Sequence, residues 1–336
     1  MSFFLHSQNF IIIQDNLCEC KQKFTKKGQI ALLRVIKHHL GIYFMVLACL
    51  DFAFVGACAK LLSEEGLSSI EIMFFRNAIG VIFMLYLLSH LKSHKEGGRL
   101  GLLIFRGVAG TLSLYLFFYN VSHISLGGAF AFQKVSPIFV TLIAFVLFKE
   151  SIGFRGVFGI LIAFVGVLFI SQPWASIETH TGFDFKNSAL GILSGFFAAL
   201  ALTSVRQLRH SYNTEVIAFS FIFIGALMPL CSMIVGEFYA PKGLDFIIAP
   251  FVMPSAKAWI YIAVMGVLGT VYQIHITKAY GVAKKAGVVA GVSYLDVVFS
   301  LVLGVLLGDD LPSVMVFMGI IGVVFGGLIL ISKDKK

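Results

Sequence analysis

The sequence predicts an all-α membrane protein whose ten transmembrane helices form two inverted five-helix repeats. Composition, the length of the apolar stretches and an internal duplication predict this fold. Hydrophobic residues make up 58% of the 336-residue chain and charged residues 13%, with a mean hydropathy of +0.93. A soluble globular domain carries about 25% charged residues. We therefore expect lipid rather than water to surround most of this chain.

Ten apolar stretches follow one another between residues 40 and 332. A spanning helix needs roughly 20 apolar residues, whereas a strand of a membrane barrel needs only about 10, with alternating polarity. The stretches therefore predict helices, which satisfy their backbone hydrogen bonds within one segment. The predicted spans cover residues 40–62, 68–91, 100–121, 124–148, 153–172, 187–208, 213–236, 255–279, 285–308 and 312–332.

The spans divide into a first repeat over residues 40–172 and a second repeat over residues 187–332. The two halves share residues in the same order, with an offset that drifts as loop insertions would make it drift. An odd number of spans in each half inverts the second half relative to the first, an arrangement typical of transporters. The matching positions are Leu40-Gly41-Ile42 with Leu190-Gly191-Ile192, Glu71 and Phe75 with Glu215 and Phe219, and Gly110-Thr111 with Gly269-Thr270.

The formal net charge of +9 comes from cations that lie mainly on one side of the predicted spans. Of the 26 Lys and Arg residues, 19 lie in or beside segments on the side of the N-terminus, three on the opposite side and four within spans. This bias predicts that both termini are cytoplasmic. It also argues against a nucleic-acid partner and favours the inner membrane of a bacterium. Residues 1–39 are polar and basic, and we expect them to form a cytoplasmic tail.

Small residues and prolines predict where helices pack closely and where they bend. The spacings Gly191-x-x-x-Gly195, Gly322-x-x-x-Gly326 and Gly153-x-x-Gly156-x-x-Gly159 let two backbones approach each other. Pro137 in span 4 and Pro229 in span 7 are expected to kink their helices, because proline lacks the N–H that a helix interior requires.

Charged residues within the spans are the candidates for a functional site. A Lys, Arg or Asp at the bilayer centre costs about 2.5–3.5 kcal/mol on insertion scales, so such residues face the bundle interior. Lys60 lies near a span end and is expected to extend its ammonium group to the surface. The others are Asp51 in span 1, Arg76 in span 2, Arg106 in span 3, Lys134 in span 4 and Asp296 in span 9.

Lys134 is the first candidate for a substrate contact, because it lies at mid-depth, beside Gln133 and one turn before Pro137. The alternative is a structural ion pair between Lys134 and Asp51 or Asp296. The two aspartates themselves are candidates for proton coupling or for static ion pairs.

Arg76 and Arg106 carry forked cationic groups that suit carboxylates, although structural pairing is an equal alternative. Three buried cations against two buried anions favour a small-molecule substrate that bears an anionic group. In span 8, His275 is expected to be a buried, hydrogen-bonded histidine, and Tyr294 is expected to line span 9 beside Asp296.

Several short motifs recur in the order and spacing of one family. They are Phe75-Arg76, Phe105-Arg106-Gly107, the run Phe132-Gln133-Lys134-Val135-Ser136-Pro137-Ile138-Phe139, Lys149-Glu150, and the glycines Gly159 and Gly166. On these motifs, residues 40–332 resemble the drug/metabolite transporter superfamily and its EamA-type ten-helix carriers. The resemblance implies transport of small metabolites, amino acids or drugs. In span 9, Asp296 and Val297 occupy the positions that correspond to Ser136 and Pro137 in span 4. The second repeat therefore departs from the family motif here.

Other functions are weighed against a secondary carrier that works by alternating access. The region from Phe105 to Tyr119 is also similar to bacterial S-adenosylmethionine uptake carriers. Tyr294-x-Asp296 and Gly308-Asp309 are similar to motifs of intramembrane aspartyl proteases, but Leu306 stands where the second motif needs Gly, and Asp309 lies at a helix end. No nucleophile elbow is present, which argues against an enzyme, and no phosphate-binding loop, which argues against an ATP-driven pump. A membrane scaffold without transport activity is a further alternative. No metal or cofactor is expected, and the sequence is compatible with a homodimer.

Overall fold

The computed structural model describes residues 26–90, 97–148, 153–171, 184–208, 210–239, 243–282 and 292–331. Within these ranges the regular secondary structure is entirely α-helical. The helices are α1 Lys26–Glu64, α2 Ser69–Ser89, α3 Leu100–His123, α4 Leu126–Gln133, α5 Ser136–Phe148, α6 Phe154–Ser171, α7 Phe185–Leu208, α8 Thr214–Phe238, α9 Ala256–Val282, α10 Leu295–Leu306 and α11 Val314–Ile331.

Six of these helices are long and apolar enough to cross a membrane, namely α1 from Leu40 onward, α2, α3, α7, α8 and α9. The apolar segments over α4–α5, α6, α10 and α11 are shorter. One boundary differs from the sequence prediction, since α1 begins at Lys26 rather than at residue 40. No proline interrupts residues 26–64, so the helix of span 1 continues into the basic segment that was expected to be a tail.

The predicted fourth span is two helices, α4 and α5, with a turn at Lys134 and Val135 between them. Pro137 is the second residue of α5, where a missing N–H is tolerated. Its ring would collide with the carbonyl of Gln133 if one helix continued through this segment. The bend expected from Pro137 is therefore confirmed as a complete break, whereas α8 continues through Pro229.

A second turn of the same kind precedes α10 in the predicted ninth span. Val292 is helical, Ser293 and Tyr294 form a turn, and α10 begins at Leu295. The start of this span, residues 285–291, lies outside the described residues. The chain thus has two turns inside apolar segments, one in each half of the sequence.

Helices from the first half pack mainly on helices from the second half. The pairs α1–α9, α3–α7, α2–α8 and α6–α11 form the most extensive contacts. Between them, α3 packs on α8, α2 on α9, α4 on α10, α5 on α7 and α1 on α10. The two broken segments are therefore enclosed by helices of both halves.

The α6–α11 pair has backbone-to-backbone contact at glycines. A Cβ atom on Gly166 would lie 2.6 Å from the nitrogen of Val323, and one on Gly326 would lie 2.6 Å from the carbonyl oxygen of Gly159. Only glycine fits at such distances. The close approach that the glycine spacings predict is confirmed for Gly159 and Gly326.

Candidate functional site

An ion pair joins the two breaks at the centre of the bundle. Lys134 directly follows the last residue of α4, and Asp296 lies in the first turn of α10. The Lys134 Nζ atom is 2.7 Å from Asp296 Oδ2 and 3.4 Å from Ser293 Oγ. Since both side chains are largely buried, each charge depends on the other for compensation.

Each break rests on a helix of the opposite half. A Cβ atom on Gly195 of α7 would lie 3.2 Å from both Phe132 O and Ser136 N, which flank the first break. Cys49 Sγ of α1 donates a hydrogen bond to Val292 O, beside the second break, at 3.6 Å. The turns are therefore packed parts of the structure, and they bring Lys134 and Asp296 together from distant parts of the chain.

An aromatic cluster of Phe52, Phe117, Phe130 and Tyr272 fills the space beside this ion pair. The ring of Phe52 stacks on Tyr272 at 4.6 Å and on Phe117 at 5.3 Å, centroid to centroid. It also lies 4.9 Å from Phe130, which is one helical turn before Lys134. Four helices, α1, α3, α4 and α9, thus meet through aromatic rings at the bundle centre.

Arg76 of α2 is buried, with 4% of its surface exposed. Its Nη1 donates to Asn77 Oδ1 at 3.1 Å, but its Nε has no hydrogen-bond acceptor among the described residues. Asn77 in turn donates to Gly225 O of α8 at 2.9 Å. A Cβ atom on Gly269 of α9 would lie 2.8 Å from Arg76 Nε, so this glycine leaves room for the guanidinium group.

Arg106 of α3 is also buried, with 8% of its surface exposed. Its guanidinium carbon lies 4.3 Å from the ring centre of Phe221 on α8. Neither Nε nor Nη1 of Arg106 has a hydrogen-bond acceptor within the described ranges.

The remaining candidates lie around this centre. Asp51 Oδ2 is 2.6 Å from His275 Nδ1, so His275 is hydrogen-bonded as expected, and its ring stacks on Phe44 at 5.9 Å. Gln133 is the half-buried last residue of α4. Tyr294 is buried in the turn before α10. The structure thus groups Lys134, Gln133, Tyr294 and Asp296 at the breaks and places Asp51 and His275 in a separate pair.

Lys60 has a partner that the sequence does not reveal, since its ammonium group pairs with Asp309. Asp309 follows α10 and also accepts a hydrogen bond from the backbone N–H of Leu126 at 2.8 Å, through Oδ2. This carboxylate therefore joins the ends of α1 and α10 to the start of α4. Its position at the end of span 9 is visible in the sequence, but its partner is not.

Sequence reasoning missed a capping motif that fixes the loop after α8. Ser68 and Glu71 form a capping box at the start of α2, and Glu71 Oε1 accepts a hydrogen bond from Val252 N at 2.6 Å. The signal was present, because Ser-x-x-Glu before an apolar run is typical of a helix start.

A second polar cluster near this loop contains Tyr119, Lys186 and Asp245. Tyr119 Oη and Lys186 Nζ each donate to the Asp245 carboxylate at 2.8 Å, and Lys186 also donates to Tyr119 Oη at 2.8 Å. Partial burial raises the pKa of Asp245, but the hydrogen bonds from Lys186 and Tyr119 outweigh it, and the pKa falls below its ordinary value. No spacing in the sequence indicates this contact, which joins α3, α7 and the loop after α8.

Comparisons with known proteins agree with this architecture. Residues 39–172 match the EamA-like transporter family. A Helicobacter pylori protein described as an uncharacterized transporter is 31% identical over 86% of this chain and 94% of its own length. The pseudopaline exporter CntI of Pseudomonas aeruginosa is 29% identical over 88% of this chain and 97% of its own length. A crystal structure with 15% identity superposes with a TM-score of 0.55 over 88% of this chain and 96% of the other, which supports the fold alone.

Proposed function

The chain belongs to the EamA-like transporter family, and we propose that it is a secondary transporter that moves a small organic solute across the cytoplasmic membrane. Family membership identifies a membrane transporter rather than an enzyme. The proposal adds the mechanism, which is alternating access about a central site. It also adds the topology, in which ten spans form two inverted halves with both termini in the cytoplasm.

The pattern of helix contacts supports two inverted halves. If α4 and α5 count as one span, and α10 ends another, exchanging the halves converts each of the nine helix contacts named under the fold into itself or another of the nine. The α1–α9 contact becomes α7–α3, the α2–α9 contact becomes α8–α3, and the α5–α7 contact becomes α10–α1. The α2–α8, α4–α10 and α6–α11 contacts each map onto themselves. Such a two-fold relation is what inverted repeats produce.

The observation that carries the proposal is the Lys134–Asp296 pair between two broken helices. Interrupted helices near the membrane midplane form the substrate and coupling sites of many transporters, because their ends expose backbone groups and side chains to a cavity. Lys134 belongs to the first half and Asp296 to the second. Rocking of one half against the other would therefore change the distance between Lys134 and Asp296. This change couples the movement of the halves to solute binding at the pair.

Counterflow in proteoliposomes tests transport and the role of the pair. Vesicles with purified protein are loaded with one unlabelled probe, and labelled probe is added outside, with pseudopaline and S-adenosylmethionine as the first probes. We expect saturable counterflow that Lys134→Ala abolishes and Lys186→Ala preserves, since Lys186 lies at the bundle edge. Equal counterflow in both variants would remove Lys134 from the mechanism. Absence of counterflow with every solute in a metabolite library would favour the scaffold alternative.

Proton coupling through Asp51 or Asp296 is tested separately. A pH gradient across the same vesicles should drive accumulation of the transported solute. Asp296→Asn should keep counterflow but lose accumulation, because exchange needs no proton whereas uphill movement does. Accumulation that ignores the pH gradient would exclude this coupling and leave both aspartates as static ion pairs.

A further inference from the structure

The buried charges of the described bundle divide into those with a counter-charge and those without one. Lys134 pairs with Asp296, Asp51 with His275, and Lys60 with Asp309. Arg76 and Arg106 have no carboxylate within ion-pair distance among the described residues. Three of their nitrogen atoms also have no hydrogen-bond acceptor there.

A buried guanidinium group without compensation is costly to the folded protein, so its presence calls for an explanation. Ionisable residues inside a membrane bundle mark ligand or ion pathways by default. Two such cations beside one turn of α8 are a stronger indication than either alone: Arg106 lies over Phe221, and Arg76 donates to Asn77, which contacts Gly225. We propose that a carboxylate of the transported solute binds at Arg76 and Arg106 and supplies the missing negative charge.

The position of the two arginines agrees with a transport site. Both belong to the first half of the chain, yet both contact helices of the second half. Arg76 lies against Gly269 of α9, and Arg106 lies over the Phe221 ring of α8. An anion bound to both would therefore lie at the interface between the halves. Movement of one half against the other would change the contacts that hold this anion.

The surroundings indicate an organic acid rather than a hydrated inorganic anion. The Phe221 ring lies 4.3 Å from the guanidinium carbon of Arg106, so aromatic surface lies beside this cation. Aromatic rings suit an apolar body, while the guanidinium fork suits a carboxylate. The site thus selects a solute with a carboxylate head and an apolar or aromatic part. This inference rests on the proposed transport function, which supplies the solute.

Binding to the purified full-length protein tests the proposal directly. Thermal unfolding is measured with succinate, glutamate and phenylacetate, each compared with its carboxamide: succinamide, glutamine and phenylacetamide. At least one acid should raise the unfolding midpoint while its amide does not, because a ligand that binds the folded state stabilises it. Stabilisation by none of the acids, or equal stabilisation by acid and amide, would overturn the proposal. Inorganic phosphate acting as well as the best acid would overturn the carboxylate assignment.

Substitution of each arginine tests whether the acid binds at Arg76 and Arg106. Arg76→Gln and Arg106→Gln should each weaken the acid's affinity by about tenfold to a hundredfold, the value of one charge-assisted hydrogen bond. Arg99→Gln is the matched control, since Arg99 is exposed at the start of α3. An affinity unchanged in both buried variants would overturn the assignment.

A structural role for the arginines predicts a different result. In that case Arg76→Gln and Arg106→Gln would lower the unfolding midpoint of the ligand-free protein. The proposed role predicts a midpoint that stays constant or rises, because an uncompensated charge is removed. Loss of affinity together with a lowered ligand-free midpoint in both variants would count for the structural role.

The binding and counterflow experiments distinguish a protein without the anion site from a protein without transport activity. Acid binding without any counterflow would leave the anion site standing and remove the transport function. Saturable counterflow of an uncharged solute, equally fast in the wild type and in both arginine variants, would leave transport standing and remove the anion site.

Discussion

Lys134 and Arg106 are both cations buried in the same bundle, but their surroundings differ. Lys134 has a carboxylate 2.7 Å away, at the turn of the facing broken segment. Arg106 has an aromatic ring 4.3 Å away, and two of its nitrogens lack an acceptor within the described residues. The difference separates a charge compensated within the fold from a charge that is left for a ligand.

This contrast gives opposite signs to similar substitutions. Removing one partner of a buried ion pair leaves the other charge uncompensated and destabilises the protein. A buried charge that has no partner carries a desolvation penalty in the folded state. Removing this charge should therefore raise the free energy of unfolding. Four substitutions test this contrast, and their expected effects on the free energy of unfolding decrease in order.

The largest effect is expected for Lys134→Met, which leaves Asp296 buried without a counter-charge. We expect a loss of about 3–5 kcal/mol in the free energy of unfolding. The double variant Lys134→Met/Asp296→Leu should recover most of this loss, because it removes both charges. Unfolding in detergent, followed by circular dichroism, measures both. A double variant no better than the single variant would contradict the interpretation of this contact as a buried pair.

Asp51→Ala should cost less, about 1–2 kcal/mol, although it also removes one partner of a pair. The Asp51–His275 contact is less buried than the Lys134–Asp296 pair, because its side chains are 15% and 21% exposed against 5% and 14%. Comparison with Lys134→Met under the same unfolding conditions checks the order of the two effects. A larger loss for Asp51→Ala would contradict this ranking of the two contacts by burial.

Arg106→Met should act in the opposite direction and raise the stability of the ligand-free protein by about 1 kcal/mol. The gain is limited, because the contact between the guanidinium group and the Phe221 ring is lost as well. Paired unfolding curves of Arg106→Met and Lys134→Met measure the predicted difference in sign. If both variants lowered the free energy of unfolding by similar amounts, the distinction between compensated and uncompensated charges would be contradicted.

The smallest effect is expected for Asp245→Asn, at the exposed cluster with Lys186 and Tyr119, and should be less than about 1 kcal/mol at neutral pH. The pKa of Asp245 is lowered in the folded protein. Its contribution is therefore present above the unfolded-state pKa of about 3.9 and is lost as the pH falls through the folded value. Unfolding midpoints of wild type and variant should differ at pH 7 and converge as the pH falls below the lowered folded-state pKa of Asp245. A constant difference would exclude titration of Asp245 as its source.

The sequence determined the parts of this protein that depend on short-range patterns. The length of the apolar runs predicts α2, α3, α7, α8 and α9 to within a few residues, because a helix forms its hydrogen bonds locally. Pro137 predicts a bend in the fourth span, and the glycine spacings predict close helix packing, of which the contact between α6 and α11 is an instance. The same local motifs carry the resemblance to EamA-type carriers that the family match confirms.

The tertiary structure alone decided which charges meet. Sequence reasoning named Asp51 and Asp296 as equal partners for Lys134, and the fold brings Asp296 to it while Asp51 pairs with His275. Sequence reasoning assigned Lys60 to the surface, and the fold places Asp309 beside it. Periodicity shows which face of a helix is polar but not which distant helix packs against it. For that reason the uncompensated state of Arg76 and Arg106, on which the proposed anion site depends, emerges only when helices of both halves are packed together.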